Sequence, residues 1–179
     1  LFFSGFFGRD VMGEPGETDS DDFSISWGNS AGNLRWTHIF GSRLFTNVSA
    51  VVSDYRFSSE IEEWDNTRFK TVSGILDYSL RAEAEYFHSA EHSFKAGMEM
   101  TLHTFTSEAS SEEEEFFDFD PFLPTHRGTD VSLFLQDEWK VSERFTAQLG
   151  GRAFYFDRGP YFRLEPRFAA FYTLDNEIT

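Results

Sequence analysis

The sequence predicts an all-β protein, and in particular a segment of an antiparallel transmembrane β-barrel with about eight strands. Apolar and polar residues alternate with a period of two, the alternating segments run for about 13 to 16 residues, and short turns interleave with long loops. Strands in soluble sheets are commonly about 5 to 6 residues long, whereas about 9 to 11 cross a bilayer. The length of the segments therefore favours a membrane wall.

The clearest alternation covers residues 76–86 and 94–103. The even positions of both segments are apolar or aromatic, and the odd positions are almost all polar. Because Ala, Glu, Leu and Met favour helices, a helix is the competing interpretation. A hairpin closed over residues 88–92 would place Glu85 opposite Lys95 and Arg81 opposite Glu99, and this cross-strand complementarity favours two strands.

The remaining strands follow from weaker forms of the same pattern. Alternation at residues 131–140 and 145–156 surrounds a turn at 141–144, and a hairpin closed over 157–160 sets Arg152 beside Glu165. Residues 24–40 and 44–58 alternate less regularly around a turn at 41–43. With a partial strand at the start of the chain, the total is eight.

Three long loops are predicted at residues 9–23, 59–71 and 108–127, and they carry 17 of the 31 acidic residues. A solvated loop is the ordinary interpretation of such a composition. A more specific interpretation is a binding site for a ligand or a divalent cation that combines carboxylates with aromatic rings, although no EF-hand spacing is present. The candidate ligand-binding residues are Trp64, Glu113, Glu114, Phe116, Phe117 and Asp118.

Composition excludes several classes of function. A net charge of -16 argues against a nucleic-acid partner, because phosphate binding requires a basic surface. The chain has no cysteine, which removes disulfides and thiolate chemistry. No apolar run reaches the roughly 20 residues of a membrane helix. Both ends of the sequence read as strand interiors, so we expect a piece of a larger protein with no signal peptide of its own.

Two motifs suggest enzyme chemistry that their context does not support. Residues 28–32 match the G-x-S-x-G nucleophile elbow, but a strand-like segment follows where a helix is required. Residues 88–92 match H-x-x-E-H, which binds zinc only on a helix, and here they fall in a turn. His38, His103 and His126 have no second ligand at metal spacing, and Glu83 and Glu85 have cationic neighbours. We therefore expect no catalytic residue, metal site or cofactor, and no enzyme.

Alternation alone does not decide which face of the sheet meets lipid. Many Phe, Tyr, Trp and Leu side chains would overfill a small barrel interior, whereas lipid accepts any size, so we expect the apolar face outside and the charged face in the lumen. Aromatic residues near strand ends suit the interfacial girdles of such barrels: Trp36, Tyr55, Tyr86, Trp139 and Tyr172.

Several stretches resemble successive strands of TonB-dependent outer-membrane receptors, particularly those of Bacteroidetes-like bacteria. The most telling is QDEWKVSERFTAQLGGR, from Gln136 to Arg152, followed by Glu165-Pro166-Arg167. The resemblance extends over roughly residues 24–179 and is specific for the family rather than for a substrate.

That resemblance implies a 22-stranded barrel in the bacterial outer membrane, filled by an N-terminal plug that this chain lacks. Such a receptor imports a scarce nutrient (a metal chelate, cobalamin or a glycan) with energy from the TonB complex, which acts through the plug. Outer-membrane lipid and a surface lipoprotein are further candidate partners. The alternatives are a small outer-membrane barrel or adhesin with a structural or binding role, and a soluble β-sheet binding module or hydrolase.

Overall fold

A computed structural model describes residues 1–14, 22–62, 68–111, 125–159 and 161–174. They form a single antiparallel sheet of eight strands in which each strand pairs with the next along the chain. The sheet is open, since β1 and β8 are its two edges. The strands are β1 Phe2–Glu14, β2 Asp22–Phe40, β3 Leu44–Glu62, β4 Arg68–Phe87, β5 His92–Ser111, β6 His126–Lys140, β7 Phe145–Phe156 and β8 Tyr161–Tyr172.

The predicted hairpin registers are confirmed. Glu85 lies opposite Lys95 and Arg81 opposite Glu99 across β4 and β5, and Arg152 lies opposite Glu165 across β7 and β8. Pairing between β2, β3 and β4 runs without interruption from end to end of each ladder. Side chains of one strand therefore alternate strictly between the two faces of the sheet.

The predicted loop boundaries were wrong, because the strands extend well into them. Residues 9–14 belong to β1, 59–62 to β3, 68–71 to β4 and 108–111 to β5. Strand pairing continues there because apolar and polar residues still alternate, although the apolar residues now lie on the opposite face of the sheet. Residues 22–23 belong to β2 and 126–127 to β6, while residues 15–21, 63–67 and 112–124 lie outside the described residues.

Two of the short turns are closed by the same serine arrangement. The Ser89 hydroxyl accepts hydrogen bonds from the backbone N–H groups of Glu91 and His92, both at 3.2 Å. Ser142 does the same for Arg144 and Phe145, at 3.3 and 3.1 Å. The third turn instead uses Gly41 at a φ of 74°, where a side chain would be strained. Local chemistry thus fixes where these three hairpins reverse.

The three turns at 41–43, 88–91 and 141–144 lie at one end of the sheet, the turn end, and the three long connections lie at the other, the loop end. β3, with 19 residues, is about 60 Å long at roughly 3.4 Å per residue, which is twice the thickness of a bilayer core. No helix long and apolar enough to cross a membrane is present among the described residues.

Candidate functional site

One face of the sheet, the outer face, carries an apolar band next to the turn end. Large side chains project from it into open space, including Leu80 and Leu135 at 47% and 59% exposure. In β3 the band spans nine residues, Leu44 to Val52, which matches the roughly 9 to 11 needed to cross a bilayer. Such a band suits contact with lipid. Its outer-face positions run through Leu34–Phe40, Leu44–Val52, Leu76–Tyr86, Phe94–Leu102, Val131–Trp139, Phe145–Tyr155 and Phe162–Tyr172.

Aromatic and histidine rings border the band at the turn end. Trp36 stacks on His38 with centroids 5.4 Å apart, and His92 stacks on Trp139 at 5.6 Å while its Nδ1 lies 2.9 Å from Asp137. Amphipathic rings of this kind sit at membrane interfaces. Trp36, Tyr86, Trp139 and Tyr172 all lie on the outer face, as the girdle prediction requires.

The prediction for Tyr55 was wrong, because this residue lies on the opposite, inner face. It is in register with Asn29 on β2 and Ile75 on β4. In β3 most apolar residues up to Val52 face outward, with Phe45 and Val51 as exceptions, whereas the apolar residues from Tyr55 to Ile61 face inward. Tyr55 therefore cannot belong to a lipid-facing girdle.

Beyond the apolar band the outer face becomes charged. Arg56 pairs with Asp54 at 3.0 Å, Arg68 with Glu62 at 2.9 Å, and Lys70 with Glu60 at 3.5 Å. Because charged groups avoid the hydrocarbon layer, the loop ends of β2 to β5 must stand clear of it. This charged surface lies on the same side of the apolar band as the long connections, which are extracellular in outer-membrane barrels.

On the inner face, level with the apolar band, charged residues form short ladders. Arg81 contacts Glu83 at 3.0 Å and Glu99 at 3.9 Å, and Lys95 approaches Glu83 at 3.9 Å. Glu85 accepts a hydrogen bond from Ser93 at 3.3 Å rather than pairing with Lys95. These contacts support the predicted lumen ladder, with Glu83 as the shared carboxylate.

A cavity of about 480 Å³ opens beside this ladder. Arg35, Asn47, Ser49 and Arg81 contribute to its walls. The inner face is therefore a hydrophilic surface at the depth where the outer face is apolar, as expected for the lumen wall of a barrel.

A carboxylate–imidazole–carboxylate chain crosses three strands at the upper edge of this hydrophilic surface. His103 Nδ1 lies 2.8 Å from Asp77 Oδ1, and its Nε2 lies 3.0 Å from Asp130 Oδ2. Only an imidazolium donates from both nitrogens, so the geometry suits a cationic His103 between two anions. The His103 side chain is 19% exposed. The hairpin register that places Arg81 opposite Glu99 also places Asp77 opposite His103, whereas Asp130 could not be predicted, because a long connection precedes its strand and does not set the register.

On the loop side of the Asp77–His103–Asp130 contacts, the inner face changes from polar to apolar. At the loop ends of β2 to β5 it carries large apolar side chains, a surface that we call the inner aromatic patch: Phe23, Ile25, Trp27, Tyr55, Phe57, Ile61, Phe69, Ile75 and Phe105. Trp27 lies opposite Phe57, and Tyr55 opposite Ile75. Trp27, Tyr55 and Phe105 are 36%, 40% and 38% exposed, so the rings present area that is open to contact.

All six residues predicted to bind a ligand lie outside the described residues, and they stay predictions. The G-x-S-x-G stretch, Gly28 to Gly32, lies within β2, and the H-x-x-E-H stretch forms a turn that leads into β5. The described part of the chain holds no group of three or more His, Cys, Asp or Glu residues fit for a metal ion. Sequence reasoning missed the inner aromatic patch, whose only signal was the change of phase along β2 to β4.

An open antiparallel sheet with an apolar band on one face and a polar, ion-paired surface behind it defines the wall of an outer-membrane β-barrel. The chain belongs to the TonB-dependent receptor-like β-barrel family, since the family model matches residues 3–179. That family comprises outer-membrane receptors and transporters rather than enzymes. No curated protein and no solved structure matches the chain.

Proposed function

We propose that this chain is part of the wall of an active importer that takes up a scarce nutrient: a metal chelate, cobalamin or a glycan. The observation that carries the proposal is the separation of faces, in which a lipid-facing band backs a lumen surface of ion pairs around Arg81 and Glu83. A hydrophilic lumen surface suits a polar occupant such as a plug or a passing ligand. Family membership supports the same conclusion.

Energy for import would come from the TonB complex, acting through the plug of the receptor. Outer-membrane lipid would contact the apolar band, and a surface lipoprotein is a candidate partner at the loop end. The ligand contacts that we propose in the connections are Trp64, Glu113, Glu114, Phe116, Phe117 and Asp118, because they combine aromatic rings with carboxylates.

Uptake by cells that express the full-length receptor tests the proposal. Cells would be given radiolabelled ferric citrate, radiolabelled cyanocobalamin or fluorescent neutral oligosaccharides. We expect accumulation of one of them that is lost without the receptor, without TonB, or after collapse of the proton-motive force. Accumulation that needs the receptor but persists both without TonB and after collapse of the proton-motive force would contradict active import.

Gel mobility separates the barrel interpretation from its alternatives. A receptor from the outer-membrane fraction should migrate faster unboiled than boiled, with a boiled mass several times the 20.7 kDa of this chain. A boiled mass near that of the chain would support a small barrel or adhesin. Recovery in the soluble fraction would support a soluble module.

A further inference from the structure

The loop ends of β2 to β5 reverse the usual polarity of a membrane barrel. Among the described positions there, the outer face carries eight charged residues: Asp22, Asp54, Arg56, Glu60, Glu62, Arg68, Lys70 and Glu108. The inner face of the same four strands carries none over that length. An apolar surface that faces the import path above the membrane has no lipid to cover it, so it must contact something else.

Hydroxyl and amide side chains are interleaved with the rings of the inner aromatic patch. Trp27 and Phe57 share a row across the sheet with Ser73 and Ser107. The neighbouring row toward the turn end contains Asn29 and Tyr55, and the neighbouring row toward the loop end contains Ser59 and Thr71: the rows are Asn29–Tyr55–Ile75–Phe105, Trp27–Phe57–Ser73–Ser107 and Ile25–Ser59–Thr71–Ala109. Adjacent rows lie about 7 Å apart. Rings and hydroxyls are therefore available together to one ligand of modest size.

We infer that the inner aromatic patch binds a neutral carbohydrate, an inference that rests on the proposed import function and selects among its ligand classes. A pyranose ring has an apolar C–H face that packs on the negative face of an aromatic ring, while its hydroxyls reach side chains in the next row. An anionic chelate would gain no cationic partner from this patch, which Asp10 and Glu14 of β1 flank on the same face, opposite Trp27 and Phe23, and it would lose water. Small-molecule sites typically combine apolar and aromatic side chains with a few polar groups.

Binding to the full-length receptor in detergent provides the test. Linear gluco-, xylo- and manno-hexaoses would be titrated calorimetrically beside ferric citrate and cyanocobalamin. We expect at least one hexaose to bind, and Trp27→Ala and Phe57→Ala each to weaken it at least tenfold. The matched controls Ser26→Ala and Ser58→Ala change outer-face neighbours on the same strands and should leave affinity within twofold. Heat-dependent gel mobility verifies that every variant is folded.

Two binding results would overturn the inference: no hexaose binds, or one binds equally well to both aromatic variants. Uptake keeps this inference separate from the proposed function. TonB-dependent accumulation of ferric citrate or cyanocobalamin without hexaose binding would leave active import standing and remove the carbohydrate site. Hexaose binding without TonB-dependent accumulation of any ligand would leave the carbohydrate site standing and remove active import.

Thiol labelling shows whether another part of the receptor occupies the patch. The chain has no cysteine, so a water-soluble maleimide would report on Phe57→Cys within this segment, against Ser58→Cys on the outer face. Because losing the Phe57 ring would itself weaken binding, protection is measured at Ser73→Cys, which lies opposite Phe57 on the inner face. We expect Phe57→Cys, Ser73→Cys and Ser58→Cys all to be labelled in unliganded receptor, and only Ser73→Cys to be protected by the bound hexaose. If Phe57→Cys and Ser73→Cys resist labelling while Ser58→Cys reacts, the receptor itself covers the patch and the inference fails.

Discussion

Gly97 on β5 lies beneath the ring of Phe134 on the neighbouring strand. A Cβ built at Gly97 would come within 2.6 Å of that ring and 2.8 Å of the backbone oxygen of Ala82. Both distances are shorter than real Cβ contacts, and the backbone oxygen has little freedom to move. An aromatic ring that covers a strand glycine in this way protects the exposed backbone and holds the register.

Gly97→Ala should therefore destabilise the barrel by about 1 to 3 kcal/mol, the usual cost of overpacking. Gly32→Ala is the matched control, because a Cβ there meets only Val52 at an ordinary 3.5 Å. The measurement is the temperature at which the fast-migrating folded band disappears from unboiled gels. Equal midpoints for the two variants would contradict the close contact at Gly97.

His103 separates two carboxylates that face each other across β5. His103→Ala should destabilise the barrel by about 1 to 3 kcal/mol, because Asp77 and Asp130 lose their shared donor and repel each other. Adding Asp77→Asn and Asp130→Asn to that variant should recover much of the loss, since the repulsion disappears. Heat-dependent gel mobility again reports the effect, and no recovery in the triple variant would argue against charge as the cause.

Among the strands, the register of β4 and β5 is the one most directly testable. Arg81→Cys with Glu99→Cys should form a disulfide in the folded receptor, since these residues are directly opposite. Arg81→Cys with Lys95→Cys should not, because four residues along a strand exceed the roughly 7 Å reach of a disulfide. The measurement is the gel shift between oxidised and reduced samples. A cross-link in the second pair alone would require another register.

The strands of the turn end could be predicted from sequence, whereas much of the loop end could not. Between Asp77 and Lys95 the charge pattern admits one hairpin register, and the structure has it. Along β3 most apolar residues occupy one face up to Val52 and the other from Tyr55 onward. A window that spans both phases shows no clear period, so the sequence pattern predicts a loop at residues 59–62 and 68–71, where the structure has strands. The predicted register of β4 and β5 also places Asp77 opposite His103, whereas Asp130 required the register of β5 and β6, which no short turn fixes.

For the whole molecule, the apolar band predicts where lipid begins and ends. Leu80→Cys, in the middle of the band, should resist a water-soluble maleimide in the intact outer membrane, because hydrocarbon surrounds it. Ser26→Cys, on the outer face above the band, should react readily. Reaction of both after detergent solubilisation is the control for reagent access. If Leu80→Cys reacts in intact membranes, the lipid boundary is misplaced.

The ion pairs on the outer face above the band also bear on how the barrel reaches its final position. In an outer-membrane barrel, whose long connections are extracellular, the loop ends of the strands must pass the hydrocarbon layer once. Moving a lone charge through that layer costs much free energy. The opposite charges of an ion pair largely cancel, so moving the pair costs less. By joining Arg56 to Asp54 and Lys70 to Glu60, the sheet lowers the electrostatic barrier to its own insertion.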